Sequence, residues 1–228
     1  GSGTTFTVSG LTANTYTFRV KDDTYGCKSP ASANVVITNQ SSTEWNGTSW
    51  SNGTPDATKN AIISSVTPNS PFTANITACA LTINPSVIAT VPSGITLTII
   101  NAVTTNGQLI FENNSSLVQD PATTLNINTG NIIYKRTSAA MKNFDFSYWS
   151  SPVSGQTLFN LSPNTLSDKY FSYTGTAWKQ EVASTTAMKP GIGYIIRTPK
   201  AGRWGNGENV VFPYSQPVQF VGVPNNGD

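Results

Sequence analysis

Apolar and polar residues alternate with a period of two through most of this chain. The runs are short and are broken by Gly, Pro, Asn, Asp and Ser, which is the pattern of β-strands joined by turns. The most informative stretch is residues 60–135. Laying the chain over itself so that Ala80–Ile99 falls on Gln108–Ile127 leaves no gap, and it sets Leu81 on Leu109, Ile83 on Phe111, Ala89 on Leu117, Leu97 on Leu125 and Ile99 on Ile127. Short strands with one inward apolar pair each, joined by Pro, Asn, Ser and Gly corners, predict a β-solenoid over 61–138, because a coil of this kind buries its apolar face only against the next coil. Flanking strands such as NIIYK are expected to cap the stack. The alternative is a twisted β-sandwich with a repeated hairpin.

Around the repeat the texture differs. The runs TTFTV, TYTFRV and NVVIT read as three strands, with Phe6 and Val8 on one face of the first and Tyr16, Phe18 and Val20 on one face of the second. The segment from Leu11 to Tyr16 has the look of a tyrosine corner. Three strands cannot close a sandwich, so residues 1–40 are expected to be the C-terminal half of an Ig/fibronectin-like repeat. Residues 41–60 are dense in Asn-Gly steps and read as a hairpin and linker. Trp45 and Trp50 flank the Asn46-Gly47 turn, where they could cap a core or stack on a sugar; capping is the favoured reading. Residues 139–228 hold aromatic strands and predict an antiparallel β-sandwich or jelly roll. Its last segment, GVPNNGD, shows no closing strand, and the domain is expected to continue beyond it. The fold class is therefore all-β.

Composition narrows the function. Charged residues make up 11% of the chain, while Ser, Thr, Asn and Gly fill most polar positions, and such residues favour strands and turns over exposed helices. The 13 Lys and Arg against 11 Asp and Glu are scattered, leaving no basic stripe for nucleic acid. Histidine is absent, which removes Ser-His and Cys-His triads along with the commonest zinc ligand. No apolar run reaches the length of a membrane-spanning helix. The two cysteines, Cys27 and Cys79, fall in segments that read as different domains, so a disulfide between them is open but disfavoured.

The candidate chemistry is sparse. Asp145, Asp168, Glu181 and Glu208 lie among aromatics and are the residue types of a glycosidase pair, but a few carboxylates per domain is background, and no catalytic residue is assigned. Asp22 and Asp23 could offer oxygens to calcium, with a solvated turn as the better reading; neither a metal nor a cofactor is expected. Trp178, Tyr173, Trp204 and Tyr214 lie in or beside turns and are the candidate ligand-binding residues, through stacking on sugar faces.

The motifs YWSSPVSGQTLFNLSP, DKYFSYTGTAWKQE, MKPGIGYIIRTP and FVGVPNNGD, taken with WNGTSWSNGTP and LIFENNSSLVQ, resemble a module of large surface proteins of gliding and related Bacteroidota. That resemblance covers residues 43–228. Residues 1–40, with YTFRVKDDTYGCKSP, resemble the end of a repeat in the SprB-like gliding-motility adhesins; fibronectin type III repeats are a weaker match. The resemblance implies a secreted, non-enzymatic segment on the outer cell surface, a role in attachment or gliding motility, and the type IX secretion machinery and outer-membrane surface components as partners. A surface polysaccharide is a further candidate partner. It also implies an upstream partner for Cys27, and it names no catalytic residue. The family's separate C-terminal sorting domain is not visible here. The rival reading is a carbohydrate-binding module of a larger secreted protein, and a third is a passenger whose role is to be recognised by the export machinery.

Overall fold

The computed structural model describes residues 8, 11, 14–22, 24–37, 41–119 and 127–226. The chain divides into two compact units, residues 1–41 and 42–228. In the first, β1 (Asn14–Tyr16) pairs antiparallel with β2 (Val35–Ile37). The second expected strand thus ends at Tyr16 and not at Val20. Beyond it the Ser32 and Ser29 amides still donate to the Phe18 and Val20 carbonyls at 2.9 and 2.8 Å, but the Phe18 and Val20 amides bind the Ser32 and Ser29 hydroxyls instead of carbonyls, so side chains replace half of the ladder. None of the described residues of this unit is buried, because two short strands have no second layer to cover them. Phe6 lies outside the described residues.

The second unit begins with β3 (Ser41–Asn46), followed by β4 (Lys59–Ser65), β5 (Ile76–Ala78), β6 (Ala80–Ile83), β7 (Ile88–Val91), β8 (Thr96–Ile99), β9 (Val103–Thr105), β10 (Gln108–Phe111), β11 (Ser116–Gln119) and β12 (Ile132–Thr137). These strands stack as three parallel ladders: β4-β6-β9, β7-β10-β12 and β5-β8-β11. The result is a three-sided β-solenoid of about four turns. Along each strand alternate residues point inward, and the inward rows run from coil to coil in register. Ala61, Leu81 and Val103 form one row, Ala89, Leu109 and Ile132 another, and Val91, Phe111 and Tyr134 a third. All nine are buried. Outward positions such as Thr82, Thr104, Thr90 and Thr98 carry β-branched side chains suited to a pleated, half-exposed surface.

The stacking register corrects the repeat read from the sequence. Leu81 lies beside Val103, Ala89 beside Leu109 and Leu97 beside Leu117, so the true coil is shorter than the step from Leu81 to Leu109. Leu81 and Leu109 belong to different ladders, and the step between them is one coil plus one face. The pairing of Ile99 with Ile127 also fails, since Ile99 is buried whereas Ile127 is exposed; Leu125 lies outside the described residues.

At each end of the stack one ladder is extended by a further strand. At one end β3 flanks β4, and Trp45 and Trp50 pack against the core with ring centroids 5.4 Å apart. Trp45 Nε1 donates to the Asn69 carbonyl at 2.9 Å. Capping is thus what these tryptophans do. At the other end the parallel ladder meets the antiparallel strand β19 (Pro217–Gly222), which pairs with β12 along its full length, from Ile132 with Gly222 to Thr137 with Pro217.

Between β12 and β19 the chain builds the sandwich-like region. β13 (Phe146–Trp149), α1 (Leu158–Leu161), β14 (Tyr170–Tyr173), β15 (Trp178–Gln180) and β16 (Tyr194–Arg197) precede a small hairpin of β17 (Gly202–Arg203) and β18 (Asn209–Val210). Four of these form an antiparallel sheet in the order β13-β16-β14-β15. Its inner face, with Tyr170, Tyr194 and Ile196, packs on Leu158 and Leu161 of α1 and on Ala183 and Met188, in one core with the solenoid. The one-turn helix starts at Thr157, whose hydroxyl accepts the Asn160 amide.

Close coil packing makes Gly107 a sharp test. A Cβ there would sit 2.3 Å from the Val87 carbonyl oxygen and 2.5 Å from that of Asn84, whereas one on Gly205 would meet nothing within 4 Å. Gly107→Ala is expected to cost about 1–3 kcal/mol through overpacking, while Gly205→Ala stays within about 1 kcal/mol of the parent. Urea unfolding of the two variants checks this, and equal midpoints would contradict the coil packing. Leu97→Ala, in a fully buried row, should cost about 2–5 kcal/mol in the same measurement.

Candidate functional site

The antiparallel sheet has two unlike faces. Cross-strand pairs place Tyr148 opposite Ile195, Ile195 opposite Phe171, and Tyr173 opposite Trp178, while Trp149 pairs with Tyr194 on the inner side. Period-two alternation therefore sends Phe146, Tyr148, Phe171, Tyr173 and Trp178 to the outer face. Tyr148 is 74% exposed, Tyr173 51% and Trp178 46%. The Trp178 ring lies 5.2 Å from Tyr173 and 6.4 Å from Tyr148, tilted by 57° and 56°. With Gly191, Ile192 and Gly193 these three rings line an open depression of about 380 Å³. Among the described residues no charged side chain lines it. Phe146 and Phe171, 6.1 Å apart, continue the aromatic surface, and the Arg197 guanidinium lies 4.9 Å from the Phe144 ring.

Of the four candidate ligand-binding residues, Trp178 and Tyr173 meet on this face, and Trp204 and Tyr214 do not join them. Trp204 is half-buried and donates from Nε1 to the Lys200 carbonyl at 3.0 Å. The Tyr214 hydroxyl donates to Glu208 Oε1 at 2.6 Å, and Asn164 Nδ2 binds the other carboxylate oxygen. Burial, then the Glu208 hydrogen bond and charge, push the Tyr214 phenol well above its usual range. Tyr148 is the residue that the sequence reading misses. Its signal is the alternation of FSYW, which sets it opposite Trp149, but alternation alone does not say which face meets water.

The four carboxylates considered for glycoside chemistry each have their own neighbours. Burial raises the pKa of Glu181, yet hydrogen bonds from Ser172, Lys179 and Thr186 outweigh it and hold the carboxyl below its ordinary value. Lys169 lowers Asp168, mainly by its hydrogen bond. Asp145 accepts the Lys142 amide at 2.6 Å, and Glu208 is held as described. In the first unit, Asp22 Oδ1 accepts the Thr24 and Tyr25 amides in an Asx-type turn; Asp23 lies outside the described residues. Among the described residues there is no group of three or more Cys, Asp or Glu placed to hold a metal ion. Cys27 is exposed and Cys79 buried, neither in a disulfide. Among the described residues no helix is long and apolar enough to cross a membrane.

A family model described as a domain of unknown function (DUF8693) matches residues 36–228, and the chain belongs to that family. No curated protein and no solved structure matches it.

The buried Tyr170 makes the second unit's stability depend on alkaline pH. Its ring is fully covered, and its hydroxyl donates to the Ser162 carbonyl at 2.5 Å and to that of Thr165 at 3.3 Å. Burial pushes the phenol up to about 12, partly opposed by the Thr165 bond. A folded-state pKa above the unfolded one favours the protonated form, so its contribution is whole below about pH 10 and lost as pH rises toward 12. Unfolding free energies from urea titrations are expected to fall by about 2 kcal/mol across that window, and Tyr170→Phe should flatten the fall. An unchanged slope in the variant would show that other groups govern it.

Proposed function

We propose that this family member is a non-enzymatic segment of a secreted adhesin on the outer cell surface, acting in attachment or gliding motility. Its partners on this reading are the type IX secretion machinery, which exports it, and outer-membrane surface components. The observation that carries the proposal is the filled stack: inward rows fill the solenoid, and β19 returns from beyond the aromatic sheet to pair with β12, the last strand of one ladder. A scaffold with a filled core holds an aromatic face out to water, an arrangement suited to holding on rather than turning over. The absence of histidine from the sequence supports the non-enzymatic part, since it removes the commonest general base. The sequence motifs across residues 43–228 support the surface location and the export route.

Load is the natural demand on such a piece. Parallel ladders stacked in register share force among many backbone hydrogen bonds, and a coil can open only by exposing the apolar rows of its neighbours.

The test uses intact cells of the native host. An antibody to residues 42–228 should label unpermeabilised cells, and deletion of the gene should reduce attachment or gliding. Labelling only after permeabilisation would reject the surface location. Release of new reducing ends from any polysaccharide incubated with the purified protein would reject the non-enzymatic reading.

A further inference from the structure

We propose that the depression between Tyr148, Tyr173 and Trp178 is a binding site for a neutral, hexose-based polysaccharide. The inference deepens the adhesin reading and rests on it, naming the chemistry by which this segment would attach.

Three features of the site select that ligand. The first is the rings themselves. Tilts of 56–57° leave neither tyrosine stacked flat on Trp178, each of the three residues keeps roughly half or more of its surface in water, and the ring spacings of 5.2 and 6.4 Å match the scale of successive hexose units. The apolar C–H face of a hexose packs on such rings, while its hydroxyls need polar partners at the edge. The second is the supply of those partners. The Tyr148 and Tyr173 hydroxyls and Trp178 Nε1 donate to no group among the described residues, unlike the hydroxyls of Tyr170 and Tyr194 on the inner face. The third is the floor. A Cβ on Gly191 or Gly193 would meet nothing within 4 Å, so the backbone there is open to close approach. The described residues give the depression no charged lining, which fits an uncharged sugar better than uronic acids or sulfated chains.

A second protein molecule is the less suitable occupant. A stable protein interface buries about 800 Å² on each partner around a desolvated core, whereas this depression is lined by six residues, two of them glycine.

Native affinity electrophoresis of the full chain tests the proposal, with gels containing mannan, xyloglucan, a soluble β-1,3-glucan, or alginate as the anionic control. Retardation by at least one neutral polysaccharide and not by alginate is expected. Trp178→Ala and Tyr148→Ala should each weaken it at least tenfold. Gly193→Leu provides a second variant that touches no ring: it fills the depression and should abolish binding while the thermal unfolding midpoint stays near that of the parent. No retardation in any neutral gel would overturn the proposal, as would retardation that survives Gly193→Leu, or retardation by alginate alone. Concentration-dependent self-association lost in Trp178→Ala, without sugar binding, would assign the face to a second copy of this chain and overturn it too. If sugar binding fails while gene deletion still impairs attachment, this site assignment falls and the adhesin reading stands. If a bound polysaccharide is cleaved, the reverse holds.

Discussion

A single coil of this solenoid cannot exist alone in water. Its three short strands turn Leu, Ile, Val and Phe inward, but a ring one strand thick leaves those side chains open above and below. Burial arrives only when the next coil sets its own inward residues in the same row, as Leu109 does between Ala89 and Ile132. Each such side chain taken fully out of water contributes about 1.5–3 kcal/mol, set against the ordering of its coil. Everything else in residues 42–228 follows from where that stacking must stop. A parallel ladder ends on exposed backbone and an uncovered apolar row, and such an edge invites pairing with another chain. The Trp45 and Trp50 pair with β3 covers one end, and β19 covers the other by antiparallel pairing with β12.

The second closure explains why the C-terminal region is part of the same compact unit. β19 reaches β12 only after the chain has built the antiparallel sheet and α1, and its buried residues Val218 and Phe220 belong to one core with Tyr134, Tyr194 and Leu158. Phe220 also meets Trp149 edge to face, with centroids 6.1 Å apart. Gly222 allows the return, since a Cβ there would lie 2.0 Å from the Ser154 carbonyl oxygen. The inner face of the aromatic sheet is therefore fixed by the demands of the solenoid's end, whereas the outer face keeps Tyr148, Tyr173 and Trp178 in contact with water.

Much of this was legible in the sequence, and the misreadings have physical causes. Alternation in ALTI, QLIF and TLTI marks strands because one side of each is buried. The coil length was hidden because all three faces use nearly the same x-Leu-x-Ile or x-Leu-x-Phe pattern. A slide of the chain along itself then scores Leu81 on Leu109 as well as Leu97 on Leu117, although only the second pair are neighbours. Corners of unequal length blur the true spacing further, since the coil from Thr104 to Thr129 takes more chain than the one from Thr82 to Thr104. The return of β19 was invisible, because the whole aromatic sheet intervenes between it and β12 and leaves no local trace of the pairing. Trp204 and Tyr214 were grouped with Trp178 because all flank turns, but a turn does not reveal which sheet it serves.

Polar atoms separate the two kinds of aromatic residue better than hydrophobicity does. A buried phenol must satisfy its hydroxyl, and those facing inward do: Tyr170 donates to Ser162 and Thr165, Tyr194 accepts from Lys189, and Tyr134 donates to Ser115 at 3.2 Å. Trp149 departs from the rule, its Nε1 buried with no partner among the described residues. On the outer face the hydroxyls of Tyr148 and Tyr173 need no partner in the chain, because water reaches them. Such a surface can exchange water for a ligand's hydroxyls without leaving a buried donor unpaired, while the rings gain apolar contact. The cross-strand pair of Tyr173 and Trp178 steadies the edge of the sheet, but Tyr148, 74% exposed on β13, lies opposite Ile195 and has no aromatic partner directly across the ladder. Their clustering is what turns a filled scaffold into a surface that can hold something.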